Sequence, residues 1–229
     1  MNKLIVFEGL DGAGKSTQIK LLKSHFIKNK LNFEFLHFPR LTTEYAGSLI
    51  AKFLRGELGT LEQIDTYLIA YLFAADRNEE KGNIQKWLDD GKIVVIDRYV
   101  YSNIAFQCAK IAERSKKEDL EKWILNLEYD KNKLPSPVVS FFLRVPIDSV
   151  QERLLEKRSG DDRTYLNNKS DIHEKSIDLQ IKVDQEYMRL SSKVNDLKPI
   201  NCFDSDNKLL NPIEISDKIS KEIFDIIMS

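Results

Sequence analysis

The chain has 229 residues, of which 42% are apolar and 31% charged, and its formal net charge is −1. That is enough length for one good-sized core, in the composition range of soluble globular proteins. So even a charge balance provides no basic field. Nucleic acid and anionic membrane surfaces are therefore not expected as partners, and any anion site has to be local.

The predicted elements follow in chain order. Leu4–Phe7 is a short apolar run that reads as a buried strand leading into glycines. From Ser16 to about Lys28, Ile19, Leu21, Leu22 and Phe26 recur at helical spacing. Phe33–Phe38 reads as a second strand stopped by Pro39, and helical patterns cover Tyr45–Arg55 and Leu61–Asp89, with Gly91 as the stop. Lys92–Ile96 is a β-branched run ending at Asp97-Arg98, and helix follows to about Tyr129. Pro135 and Pro137 precede a strand at Val138–Leu143, and a helix starts near Ile147 with Asp148 or Ser149 as cap. Residues 159–170 are a polar loop, Asp171–Val194 one long helix, Ile200–Phe203 a last strand opened by Pro199, and Pro212–Met228 a final helix. Strands alternate with helices throughout. The expected fold class is α/β: a doubly wound, mostly parallel sheet of about five strands, flanked by helices, with residues 1–229 as one unit.

Cys108 and Cys202 lie far apart and in no Cys/His cluster, so both read as small buried hydrophobes of a reducing compartment rather than as a disulfide or zinc site. The first apolar run is too short for a signal peptide, and no stretch approaches the roughly twenty residues of a membrane span. A cytoplasmic location is the expectation.

Gly9-Leu10-Asp11-Gly12-Ala13-Gly14-Lys15-Ser16 fits G-x-x-x-x-G-K-[ST] in full, between a strand and a helix. Glycines let successive backbone N–H groups turn toward one anion, and the helix N-terminus adds partial positive charge. Lys15 supplies a mobile cation for the outer phosphates, the Ser16 hydroxyl can ligate Mg²⁺, and Thr17 completes the first helical turn. This segment implies a P-loop that binds ATP. On its own it does not separate a small-molecule kinase from a GTPase or a motor.

Further segments resemble the thymidylate kinases. Phe7-Glu8-Gly9-Leu10-Asp11-Gly12-Ala13-Gly14-Lys15-Ser16-Thr17 is similar to that family's opening. Phe38-Pro39-Arg40, Leu72-Phe73-Ala74-Ala75-Asp76-Arg77, Asp97-Arg98-Tyr99 with Ser102-Asn103, and Leu134-Pro135-Ser136-Pro137 follow in the family's order. The resemblance implies phosphoryl transfer from ATP to dTMP with Mg²⁺, a homodimer formed on the helix from Asp97-Arg98-Tyr99 onward, and a lid at about 153–172. It implies that Arg98, and with it Arg40, grips the acceptor phosphate through forked donors. Asp11 would hold the sugar 3′-hydroxyl or a magnesium-bound water. Phe73 would stack on the base, Arg77 would donate to a thymine carbonyl, and Ser102 or Asn103 would meet the ring nitrogen. Phe38 and Pro39 would line the same crevice, and Phe106 would crowd a ribose 2′-hydroxyl. Asp97 and Glu174 join Ser16 as candidate metal residues.

The four residues between Gly9 and Gly14 include no cation, whereas some relatives carry an arginine there. The moving phosphoryl group needs more positive charge than Lys15 and Mg²⁺ provide. Arg158 and Arg153 are the expected sources, with Arg163 third, in a bacterial-type lid that also excludes water. Two rival readings stand beside this one. A kinase of another nucleotide, or of a nucleoside with Glu8 as base, would share the loop. A nucleotide-dependent switch would lack a second, arginine-lined pocket.

Overall fold

The apolar runs form one five-stranded sheet made of β1 (Leu4–Glu8), β2 (Phe33–His37), β3 (Ile93–Asp97), β4 (Val139–Arg144) and β5 (Leu197–Asn201). The strand order is β2-β3-β1-β4-β5, and every neighbouring pair is parallel. These positions come from a computed structural model, which describes residues 3–61, 63–155 and 171–228. β1 and β3 are buried along their whole length, because each lies between two strands and beneath helices on both faces.

Parallel pairing requires a crossover after each strand, and helices supply it. α1 (Lys15–Lys28) joins β1 to β2, and α2 (Ala46–Leu54) and α3 (Thr66–Asp89) join β2 to β3. α4 (Val100–Cys108), α5 (Arg114–Leu125) and a π-helical turn at Asn126–Lys131 lead to β4. α6 (Ile147–Leu155), α7 (Ile172–Lys175) and α8 (Ile177–Ser191) lead to β5, and α9 (Pro212–Met228) follows. The main core runs from both faces of β1, β3 and β4 into α1, α4 and α8. A smaller cluster of Ile50, Phe53, Leu54 and Ile69, with Phe73 and Ile172 packed against it, joins α2, α3 and α7. Both cysteines are buried and free, and burial pushes their thiols up to about 12 and about 11.

Three local differences from the sequence-based expectation have physical causes. The expected helix from Asp171 divides at Ser176, whose extended backbone (φ −99°, ψ 100°) lets its Oγ accept from Leu179 N–H at 3.2 Å and cap α8. The last strand starts earlier, at Leu197, and runs through Pro199. This is tolerated because β5 is the sheet edge, where one side of the strand needs no donor. The helix expected to reach Tyr129 breaks after Cys108 and ends in the π-helical turn. Most of the expected lid, including Arg158, Arg163 and the 159–170 loop, lies outside the described residues. The helix expected to carry a dimer contact, α4, is buried at every position and has no free face. Exposed large apolar side chains stand instead at Tyr67, Leu68 and Tyr71 on α3.

Candidate active site

The C-terminal ends of β1 and β3 open the crevice where a doubly wound sheet binds its ligands. Gly9 turns the chain out of β1 at φ 137°, and an added Cβ would lie 2.7 Å from Leu143 O, so only glycine fits beside β4. Gly14 takes φ 90° and hands the chain to α1, leaving the first-turn N–H groups unpaired at the helix start. Lys15 is buried against this loop, with Nζ donating to Gly9 O (3.2 Å) and Leu10 O (2.9 Å). Burial and the nearby Arg98 lower its pKa, while Asp97, Asp11 and Glu8 oppose the shift. Ser16 and Thr17 are exposed on the first turn of α1. An incoming phosphate thus meets backbone donors, two hydroxyls and a lysine now satisfied by carbonyls that it can leave.

Beside the loop, Glu8 is fully buried and acts as an anchor. Its Oε1 accepts from Tyr99 N (3.0 Å) and Ser102 N (3.2 Å), the first N–H groups of α4, and its Oε2 accepts from the Ser102 hydroxyl and from Tyr187 OH (3.0 Å). A carboxylate at a helix N-terminus is favourable. Burial raises the Glu8 pKa, against the pull of those donors and Arg98. With its oxygens committed, Glu8 has no free lone pair directed at a substrate hydroxyl, which removes the base that a nucleoside kinase would need. Ser102 is likewise engaged in this network, and its Oγ also lies 2.8 Å from Tyr187 OH.

Clamping α4 to β1 sets Arg98. Its backbone takes φ 66°, an uncommon conformation for a long side chain and one found at functional positions, and its N–H donates to Phe7 O at 2.8 Å. The guanidinium is nine-tenths buried, donates to Asp11 Oδ1 (2.8 Å) and Ser102 Oγ (3.3 Å), and lies 5.1 Å from the Phe106 ring centroid. Arg98 therefore bridges the phosphate loop, through Asp11, to Ser102 and Phe106 of α4. Arg40 does not join it. Its N–H and Nε donate to Asp76, at 2.9 Å each, and its other nitrogens reach Glu79, Glu80 and Asp76 O, which directs it onto α3. Phe38, joined to Pro39 by a cis peptide, is buried against Tyr99 with ring centroids 6.3 Å apart.

The expected base-reading residues converge on a partner the sequence did not reveal. Arg77 is 2% exposed and donates through Nε and Nη2 to Glu128, at 2.5 and 2.7 Å. Glu128 is fully buried on the π-helical turn, and its Oε1 also accepts from Asn103 Nδ2 at 2.9 Å. Asn103 Nδ2 gives its other hydrogen to Ala70 O (2.9 Å), so the amide cannot be reversed, and Oδ1 is buried without a partner. Phe73 sits in the smaller apolar cluster. Phe53 of that cluster packs edge-on against His173 at 5.3 Å, and His173 stacks on Phe106 at 5.2 Å. Burial, with Lys110 nearby, holds His173 well below its ordinary pKa, so the ring is neutral. Removing Glu128 leaves a buried, unpaired guanidinium. Glu128→Ala is therefore expected to lower the unfolding free energy in urea by about 3–5 kcal/mol, and an unchanged midpoint would contradict the pairing.

Lys110, at the rim of the same aromatic group, donates to Gln107 Oε1 (2.8 Å) and holds its ammonium 5.1 Å from the Phe53 ring centroid. Burial lowers its pKa to about 7, with Asp171 opposing. An unfolded lysine titrates near 10.4. Below about pH 7 both states carry the proton and the cost of burying the charge is fully present. Between about 7 and 10.4 the unfolded state binds the extra proton, so stability rises with pH. The advantage of Lys110→Met over the parent in urea is expected to be greatest near pH 6 and to vanish by about pH 10. A pH-independent difference would refute the linkage.

At the loop's other end, Arg153 of α6 donates from Nη1 to Gly12 O at 2.6 Å, and the same nitrogen would lie 3.9 Å from a Cβ on Gly14. A cation carried by α6 thus stands over the phosphate loop. Next to it is a cavity of about 110 Å³ lined by Ala13, Thr17, Gln18, Val145, Arg153 and Leu209 among others. The cavity reaches Leu209 and Leu210, just before α9, and Pro212 at its start. Glu174 lies in α7, with its side chain outside the described set.

Asp97 ends β3 beside Lys15. His37 Nδ1 meets its Oδ2 at 3.3 Å, whereas Oδ1 is buried with no partner. Burial works against its charge, yet Lys15, His37 and Arg98 outweigh it and hold the carboxyl below the ordinary range. An anionic oxygen in need of a cation, close to the Ser16 hydroxyl's turn, is the donor set a magnesium ion takes when it is bound mainly through phosphates. Among the described residues no three His, Cys, Asp or Glu side chains group into a dedicated metal cage.

Comparison with known proteins agrees with this geometry. The family model described as thymidylate kinase matches residues 7–207. The chain is 32% identical to a thymidylate kinase from Plasmodium falciparum, over 86% of this chain and 91% of the relative. It is 33% identical to a probable thymidylate kinase from Thermococcus kodakarensis, over 91% and 94%. It is 30% identical to a thymidylate kinase from Mycobacterium tuberculosis, over 83% and 86%. A solved structure of thymidylate kinase from Candida albicans superposes with a TM-score of 0.71 at 26% identity, covering 98% of this chain and 91% of that one.

Proposed function

This chain belongs to the thymidylate kinase family, and we propose that it transfers the γ-phosphoryl group of ATP to dTMP, giving ADP and dTDP. It is a phosphotransferase of the nucleoside monophosphate kinase type. The observation that carries the acceptor assignment is Arg98, a buried cation bonded to Asp11 of the phosphate loop. It offers a fixed binding point for a second phosphate next to the first.

The acceptor phosphate is anionic at neutral pH, so its oxygen attacks without a general base, and the bond from the γ-phosphorus to the bridging β-oxygen breaks as the new one forms. Catalysis is positioning plus charge neutralisation. Lys15 leaves the Gly9 and Leu10 carbonyls for the outer phosphates, and Arg153 follows the transferring group from the lid side. Magnesium, when bound, neutralises charge on the phosphate oxygens; Ser16 and Asp97 are the residues that would hold it. Asp11, now paired with Arg98, is the expected holder of the sugar hydroxyl.

Thymine is favoured by the polarity of Asn103. Its amide is fixed with Oδ1 as the unpaired group, and thymine N3–H is a donor that satisfies it. Cytosine presents an acceptor at the same position and would leave two acceptors opposed. Arg77 keeps guanidinium donors beyond the two bonds to Glu128 for a carbonyl oxygen of the base. Phe73, with Phe106 and His173, provides the apolar walls.

A coupled ADP-release assay with ATP, Mg²⁺ and dTMP tests the reaction. ADP formation is expected to depend on dTMP and to stop when EDTA is added. Release that is independent of dTMP would reject the kinase reading. Among the described residues no helix is long and apolar enough to cross a membrane. The homodimer expected from the family would use the α3 face bearing Tyr67, Leu68 and Tyr71, and sedimentation velocity measures that state directly.

A further inference from the structure

Gln18 lies one turn into α1, 4% exposed, on the wall of the cavity next to Arg153. Its Nε2 donates to Pro212 O at 3.0 Å. A carbonyl oxygen only accepts, so that bond fixes which end of the amide is which. Oε1 is left buried and without a partner. Buried polar atoms in folded proteins are nearly always satisfied, and an orphan acceptor on a cavity wall calls for a donor from whatever enters. The apolar lining includes Leu209, Leu210, Ile215, Val145 and Cys202, with the planar Arg153 guanidinium at the loop side. That combination suits a flat heteroaromatic ring with one amino group at its edge. The cavity also touches Gly14 and Thr17, so such a ring is connected directly to phosphates held by the loop.

We propose that Gln18 reads the donor's base, its Oε1 accepting a hydrogen bond from the 6-amino group of adenine and so setting the preference for ATP over GTP. This rests on the reading above, in which the loop holds the donor triphosphate. Guanine carries an acceptor oxygen at the six-position, which would face Oε1 acceptor to acceptor. Purine riboside triphosphate has only hydrogen there and neither gains nor repels. The bond from Nε2 to Pro212 O also ties α1 to the start of α9, so the reading atom is held by two elements instead of by side-chain stiffness alone.

The test pairs removal of the amino group with removal of its acceptor. At saturating dTMP, kcat/KM is measured for ATP and for purine riboside triphosphate with the parent and with Gln18→Met. The parent is expected to prefer ATP by about tenfold, as for one neutral hydrogen bond in a desolvated site. Gln18→Met should reduce that ratio to near one, a change that a purely structural tie to Pro212 would not produce. A parent ratio near one, or an unchanged ratio in Gln18→Met, would overturn the assignment. Should the methionine variant not fold, Gln18→Leu and the parent ratio decide by the same criteria. Absence of transfer from either triphosphate in the parent would instead remove the donor-site reading itself, and this inference with it.

Discussion

Arg98→Ala is expected to lower kcat/KM for dTMP by roughly a thousandfold, mainly as a higher dTMP requirement. The guanidinium is buried, so its bonds to a dianionic phosphate would be made out of competition with water, and each such charge-assisted bond is strong. The substitution also removes the cation that faces Asp11 at the loop, so the negative charge of that carboxylate opposes the acceptor phosphate. Arg98→Lys restores the charge but not the fork, and the side chain arises from a left-handed backbone held by Glu8 and Phe7. It should therefore recover only part of the loss. Steady-state kinetics in dTMP at saturating ATP separates the two cases. Parent-like kinetics in Arg98→Ala would end the acceptor-phosphate role.

The second large effect is expected on turnover. Arg153→Ala should reduce kcat by about a hundred- to a thousandfold with little change in the KM for dTMP, as for loss of a cation that acts on the transferring phosphoryl group. The phosphate loop carries no arginine between Gly9 and Gly14, and Arg153 is already within hydrogen-bonding distance of it through Gly12 O. Single-turnover measurements isolate the chemical step from product release. If Arg153→Ala kept its turnover while Arg158→Ala lost it, the catalytic cation would be Arg158, which lies outside the described residues.

The sheet and the phosphate loop were legible in the sequence because each rests on a local signal. Apolar runs of four to six residues give the strands, and the Gly9–Ser16 spacing dictates a backbone that only glycines can follow. Strand β5 was misplaced by reading Pro199 as a boundary, which holds for an inner strand but not at an edge. The acceptor pocket was legible only in part. Arg98, Arg77 and Asn103 stood out through a family resemblance, yet the groups that orient them did not. Glu128 lies in a charged run, Asn126–Lys131, that reads as a solvated helix end. Its burial comes from the π-helical turn and from Arg77, 51 residues away. Glu8 looked like a possible base because its role depends on α4 N–H groups more than ninety residues downstream. The resemblance implies substrate roles for Ser102 and Arg40, and it gives no sign of the partners that hold them in the structure, Glu8 and the carboxylates of α3. Gln18 gave no signal at all, since one polar residue in a helix is ordinary until its partner, Pro212, is known.

The account's central claim is that this pocket selects thymidylate, and the most direct measurement is kcat/KM across dTMP, dUMP, UMP, dCMP, GMP and AMP in the ADP-release assay. The fixed orientation of Asn103 predicts dTMP as the best acceptor, with dUMP behind it for want of the methyl contact and dCMP lower by a hundredfold or so, as for an opposed buried acceptor. Equal use of dCMP and dTMP, or a purine monophosphate as the best acceptor, would contradict it.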